Sequence, residues 1–386
     1  MKPTDFTGDV PGMLTRSLDG ITCFRPNPLP PILHLDMETA LILSQADHSI
    51  GKLWGAGRML PNPHLLIAPF LRREAVLSSR IEGTVASVRE VATFEIDPSR
   101  EPAKSDVREV SNYVLALKYG LERLKELPVS LRLIRELHAN LLRDVRGSDR
   151  HPGEFRTVQN WIGPQGSPVE QARYVPPAVP DMRAALDEFE KFLHKPSERP
   201  FLVDLALIHY QFEAIHPFED GNGRIGRLLI PLLLCERGVL SEPLLYLSAY
   251  FDRHSKKYAD LLLQVSQKNA WLDWIQFFLR GVAEQSQDAQ IRCGKLLQLW
   301  QEYRNRIQKV NAPALGLKLV DHLFTQPLVT VPIAQSLLGL KTYQGAKKNL
   351  DKLVTEKILR EGRTVQGTRY YVADKILQLT EESFTE

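Results

Sequence analysis

With 386 residues, the chain is long enough for two or three domains and for a substantial buried core. An apolar share of 43% and a charged share of 25% are ordinary for a globular protein, and a formal charge of +3 is too nearly balanced to imply a nucleic-acid or membrane partner. Three widely spaced cysteines, Cys23, Cys235 and Cys293, argue against a disulfide framework or a zinc cluster and fit a reducing compartment. Residues 1–9 lack the charged-then-apolar pattern of an export signal. The longest apolar run, around 228–235, falls far short of the ~18 residues that span a bilayer. A cytoplasmic protein is expected.

The first thirty or so residues are proline-rich and aperiodic, which predicts an extended arm around the body. Helical periodicity starts near Asp36. A second helix is predicted over 69–87, with Leu71, Ala75, Ser78, Glu82 and Val85 on one stripe; a carboxylate on an otherwise apolar stripe is unusual. Helices follow at 107–126, 130–143, 180–194 and 204–215, the last with Leu205, Ile208, Phe212 and Ile215 on one face. Between 153 and 177 the pattern changes. Residues 155–158 and 172–175 read as short strands, and a loop holding Gly163, Pro164 and Gly166 separates them, as in a hairpin. Apolar helices at 224–236, 257–265 and 271–305 complete the central region. After a composition break at 310–313 come helices at 316–325, 331–338 and 342–356, then strands near 359–362 and 367–372. That order predicts a winged helix-turn-helix. The expected architecture is mainly α: an N-terminal arm and helical region (1–105), a core with its hairpin (106–309) and a winged-helix domain (310–386).

The informative stretch is His216-Pro217-Phe218-Glu219-Asp220-Gly221-Asn222-Gly223-Arg224-Ile225-Gly226-Arg227. One buried helix ends before it and another begins within it, with Asn222 a good N-cap. Free amides at a helix N-terminus attract anions, and glycines admit a phosphate closely. Arg224 and Arg227 oppose the helix dipole there, which makes sense if an anion sits between them and the helix end. Asp220 adds a carboxylate suited to Mg²⁺, usually held by one or two carboxylates plus phosphate oxygens. His216 is placed to take a proton from an attacking hydroxyl. A lone His-Pro pair is ordinarily a packed turn, and paired arginines ordinarily a solvated face. Here the whole constellation favours chemistry. The stretch lacks the Gly-Lys-Ser/Thr ending of a Walker loop.

This string resembles the signature of the Fic (Fic/Doc) family at every defining position. The resemblance implies a Fic-type helical core and transfer of a nucleotide, usually AMP from ATP, to a Ser, Thr or Tyr hydroxyl of a target protein or of the enzyme itself. It makes His216 the base and Phe218 the anchor of the loop. Asp220 becomes the Mg²⁺ ligand, Gly221, Asn222 and Gly223 the phosphate cradle, and Arg224 and Arg227 the partners of the β/γ end. Pro217 and Glu219 complete the ATP-binding loop. Ser78-Ser79-Arg80-Ile81-Glu82-Gly83 resembles the family's inhibitory motif, with Ser78 and Glu82 at i and i+4. By that resemblance Glu82 pairs with Arg227, in a charge-assisted and bidentate-capable contact, and denies it to ATP. The 153–177 hairpin resembles the family's flap, which grips an extended target segment by backbone pairing, with Trp161 and Ile162 near its tip. Tyr258 is the candidate for stacking on the adenine and Gln211 a further candidate for nucleotide contact. His138, His151 and His209 read as structural histidines.

Two related chemistries use the same site: AMP removal, with Glu82 positioning a water, and transfer from another nucleotide such as UTP. A different class of function is a DNA-bound regulator with a nucleotide-sensing core, in which Lys341, Lys347 and Lys348 face phosphates. A degenerate core is expected to have lost His216 or an arginine, and none is lost. The lysines read more simply as a solvated helix face. Family members often form dimers, but no sequence feature marks an interface.

Overall fold

The computed structural model describes residues 1–58, 64–100, 105–164, 166–309, 313–365 and 368–384. The arm carries more order than its proline content predicts, because β1 (Gly12–Arg16) and β2 (Thr22–Pro26) form an antiparallel hairpin. Long-range burial fixes it. Cys23 and Phe24 are fully buried, the Phe24 N–H donates to Val175 O at 2.9 Å, and Thr15 and Arg25 both reach Asp181.

Helices α1 (Met37–Arg58), α2 (His64–Ile81), α3 (Val88–Ile96) and α4 (Asp106–Arg123) follow. The periodicity carried α2 too far. Gly83 takes the left-handed φ of 89°, which turns the chain out of the helix, and Val85 is exposed. Glu82 therefore sits in the turn after α2 rather than on its inward stripe. α3 is not among the elements the sequence predicts; Ser87 and Glu90 start it with a reciprocal capping box.

The core continues through α5 (Leu131–Leu141), α6 (Val179–His194), α7 (Phe201–Ile215), α8 (Asn222–Glu236), α9 (Ser248–Arg253), α10 (Ser255–Lys268) and the long α11 (Trp271–Gln308). α7 and α8 are buried nearly all round, as helices apolar on every face must be, and the other helices pack about them. The expected strands of the 153–177 segment are not formed among its described residues, where a single antiparallel bridge joins Ile162 to Tyr174. Side chains replace the ladder. Gln159 Nε2 donates to Pro176 O, and Arg156 donates to both Val158 O and Pro177 O.

The C-terminal region runs α12 (Pro313–Thr325), β3 (Leu328–Thr330), α13 (Val331–Leu338), α14 (Tyr343–Thr355), β4 (Arg360–Val365), β5 (Thr368–Val372) and α15 (Asp374–Glu381), with sheet order β3-β5-β4. The three helices and hairpin stand in the predicted order, and β3 is an addition. The composition break at 310–312 and Gly367 lie outside the described residues. Thr330 and Thr342 cap α13 and α14. Lys347 pairs with Asp351 one turn along its own helix. This region packs on the N-terminal helices through Arg72, which bonds both Glu95 and Thr325 O. Among the described residues, no helix is long and apolar enough to cross a membrane.

Candidate active site

The site begins where α7 stops. His216 adopts φ 49° and ψ 61°, and its N–H closes the helix on Phe212 O at 3.0 Å. Pro217 cannot extend the helix. The imidazole Nδ1 lies 3.3 Å from Glu213 O. A carbonyl only accepts, so Nδ1 carries the proton and Nε2 keeps its lone pair. Burial, reinforced by the Arg156 guanidinium, pushes His216 down to about 4, so the ring is neutral at physiological pH.

The loop is held from inside. Phe218 is fully buried and stacks on His138 with ring centroids 3.8 Å apart. His138 accepts from Gly153 N–H at Nδ1 and donates from Nε2 to Asp220 O. Burial pushes its imidazole down to about 4, consistent with that neutral tautomer. The Asn222 side chain both accepts from Phe218 N–H and donates to Phe218 O, each at 2.8 Å. This corrects two expectations for Asn222. It is the first residue of α8 rather than its cap, and its amide is spent inside the loop rather than turned toward phosphate. Gly221, at φ 80°, is the N-cap, and no side chain caps α8. By contrast α3, α4 and α5 each begin on a serine hydroxyl that accepts a backbone N–H. The first turn of α8 thus keeps uncompensated backbone donors.

Arg227 Nε donates to Ser78 Oγ at 2.9 Å, and its Nη2 donates to Ser78 O at 3.0 Å and to Glu82 Oε1 at 2.6 Å. The contact with Glu82 is single-pronged, through Nη2, while Ser78 takes the Nε side of the guanidinium. Burial raises the Glu82 carboxyl, but the Arg227 charge outweighs it and holds Glu82 below the usual carboxylate range. Gly223 makes the approach feasible: a Cβ there would stand 2.3 Å from Glu82 Oε1. Gly83 has open space around it, so its left-handed φ is what that position requires.

Arg224 does not share this surface. Its Nη1 bonds Glu109 Oε2 at 3.2 Å and its Nη2 bonds Asp220 Oδ1 at 3.4 Å. Buried Glu109 draws it inward, away from the cleft that Arg227 lines. Asp220 Oδ1 also accepts from Gly221 N–H, and Oδ2 lies where a side chain at Gly147 would stand, 2.7 Å from its Cβ. The Asp220 side chain is 40% exposed, a carboxylate open to a cation. Glu219 bonds His151 and faces Arg150, and Pro217 O accepts from Arg156 N–H.

A cleft of about 550 Å³ brings His216, Gly223, Arg227, Glu82, Glu213 and Tyr258 together with Ile162 of the flap. Burial pushes the Glu213 carboxyl up to about 7, and its Oε1 has no hydrogen-bond partner among the described residues. Tyr258 is in the wall, but one ring face is stacked on Phe251 at 4.4 Å and its hydroxyl donates to His209 Nε2. His209 in turn donates from Nδ1 to Gly226 O. Gln211 is not in the cleft. It points from the opposite side of α7 and donates to Asn27 O of the arm.

Sequence reading missed Glu109, Arg156 and Glu213. Glu109 had a usable signal: it shares a helical stripe with buried Tyr113 and Gly120, the pattern that singled out Glu82. Arg156 had none, since the link that brings it to the site runs to the carbonyl of His216, sixty residues away.

The profile of the Fic/DOC family N-terminal region matches residues 41–122, and that of the Fic/DOC family matches residues 128–234. The chain is 36% identical over 134 residues to protein adenylyltransferase Fic of Drosophila virilis and 33% identical over 134 residues to that of Drosophila melanogaster. Each match covers 34% of this chain, and the chain spans about a quarter (25%) of the length of these curated relatives. In fold it is similar to a Fic family protein from Desulfovibrio desulfuricans G20, with a TM-score of 0.54 and 19% identity over 89% of this chain and 98% of that one. It is also similar to Fic-1 from C. elegans, with a TM-score of 0.50 and 21% identity over 67% of this chain and 74% of that one. With both family profiles matched in order and the loop at 216–227 built as described, residues 41–122 and 128–234 carry the N-terminal and Fic regions of the Fic/DOC family.

Proposed function

We propose that this protein transfers AMP from ATP to a hydroxyl side chain of a target protein, itself included, and that Glu82 restrains it. The observation that carries the reading is the cleft in which a neutral His216, the uncapped start of α8 and Arg227 meet, with Glu82 lying on Arg227. His216 Nε2 takes the hydroxyl proton as the oxygen attacks the α-phosphorus. The bond from that phosphorus to the bridging oxygen breaks, and pyrophosphate leaves. Little covalent work falls to the protein, so positioning and charge stabilisation supply most of the rate. Asp220 would hold Mg²⁺, which when bound neutralises phosphate charge. The exposed side chain of Asp220 leaves its carboxylate accessible to such an ion, with phosphates and water completing the shell. The free thiols Cys23, Cys235 and Cys293 support a cytoplasmic setting.

The test is mass spectrometry of purified protein incubated with ATP and Mg²⁺. Glu82→Gly should gain the mass of AMP, and Glu82→Gly combined with His216→Asn should lose that gain by about 10²–10⁴-fold in rate. The same gain in both proteins would remove His216 from the chemistry. A gain with UTP and none with ATP would reassign the donor.

A further inference from the structure

We propose that Arg156 is a positioning residue that fastens the flap to the catalytic loop, fixing the backbone of His216 and setting its charge beside the imidazole. The inference rests on the reading of His216 as the base.

The C-terminal carbonyls of a helix lack partners within it and must find others. At the end of α7 the flap supplies them. Tyr174 OH donates to Ala214 O at 2.8 Å, Arg156 Nε to His216 O at 3.0 Å, Arg156 N–H to Pro217 O at 2.9 Å and Asn160 Nδ2 to Phe218 O at 2.9 Å. Three successive carbonyls of the catalytic loop are thus claimed by one short segment. The other prongs of Arg156 reach Val158 O at 3.2 Å and Pro177 O at 2.5 Å, tying both arms of the flap to the same hub. Arg156 is 1% exposed, and each of these guanidinium bonds ends on a carbonyl rather than a carboxylate. Burial pushes it down to about 10, which still leaves it charged at neutral pH. An unneutralised cation beside His216 opposes protonation of the imidazole. The other charges facing His216 or lining its cleft are Glu82 after α2, Arg173 of the flap, Glu213 on α7, Asp220 in the loop, Arg227 on α8 and Lys256 on α10. The three bonds leave from Nε, Nη1 and Nη2 across one rigid plane, so a compact lysine ammonium keeps the charge and loses that spread.

The experiment compares Arg156→Met and Arg156→Lys in the Glu82→Gly protein. It measures ATP binding, AMP transfer at saturating ATP across about pH 4 to about pH 8, and the His216 imidazole titration by NMR of histidine-labelled protein. Arg156→Met should leave ATP affinity within about twofold and lower transfer about 10²-fold, as a displaced base does. It should also move both the acid limb and the imidazole midpoint toward neutrality. Arg156→Lys should lose rate with the midpoint little changed. Unchanged rate and midpoint in Arg156→Met overturn the proposal. So does an equal loss of rate in both variants with no movement of either midpoint, which marks a purely structural residue. If Arg156→Met does not fold, Arg156→Lys decides: a full rate at an unchanged melting temperature overturns it. If the Glu82→Gly parent transfers nothing, the functional reading fails, while the NMR titration still reports whether Arg156 controls His216.

Discussion

Arg224 and Arg227 stand three residues apart on α8, both with side chains 2% exposed, yet their partners differ in kind. Arg224 is held by Glu109, which is 1% exposed inside α4. Arg227 is held by Glu82, which is 37% exposed in a glycine-ended turn beyond α2. One pair is part of the packed core. The other has a carboxylate that solvent and ligands can reach. The difference teaches that burial of the cation alone does not say whether an ion pair is structural; the exposure of its partner does.

The contrast is broken or sharpened most strongly at Glu109. Glu109→Ala leaves the Arg224 charge buried with only Asp220 beside it, and unfolding free energy should fall by about 3 kcal/mol in denaturant titrations. Glu82→Gly should cost less than Glu109→Ala, because Arg227 keeps Ser78 Oγ and Ser78 O as acceptors. Equal losses in the two variants would erase the distinction. Next in size, Glu82→Gly should tighten ATP binding by about 10–100-fold in calorimetry, the range of a coupling between competing ligands of one guanidinium.

Acid separates the pairs by sign. Glu82 is depressed, so its contribution is complete above the ordinary carboxyl pKa and is lost only as pH falls through its lower folded value. Glu109 is raised by burial against the pull of Arg224, so it takes up its proton first as pH falls. Carboxyl NMR should therefore show Glu109 titrating above Glu82, and the reverse order would refute the assignment. The smallest effect is expected at Gly83. Alanine there meets no neighbour but must adopt φ 89°, costing about 1 kcal/mol and loosening the turn, with a several-fold rise in nucleotide affinity.

What was legible in the sequence was local. The loop from His216 to Arg227 is contiguous, and its glycines, asparagine and arginines advertise a phosphate site without any knowledge of the fold. The pairing of Glu82 with Arg227 bridges 145 positions and came from resemblance, not from spacing. Where tertiary contacts decide, local pattern failed. The β1–β2 hairpin is ordered by burial against Val175 and Asp181, and the flap is ordered by Arg156 and Gln159 instead of a strand ladder. Gln211 stands five residues before His216, and helical rotation carries it to the other side of α7.

The left-handed backbone of His216 bears on how the site can be probed and how it can be lost. Among side-chain-bearing residues, asparagine, aspartate and histidine tolerate φ near 49° best. Alanine at 216 deletes the imidazole and strains the peptide at once, so its inactivity mixes two losses. Asparagine deletes the ring and leaves the turn at ease. A lineage that abandons the chemistry while keeping the fold should therefore pass through asparagine, aspartate or glycine at this position, and a relative carrying one of them reads as an intact scaffold without its base.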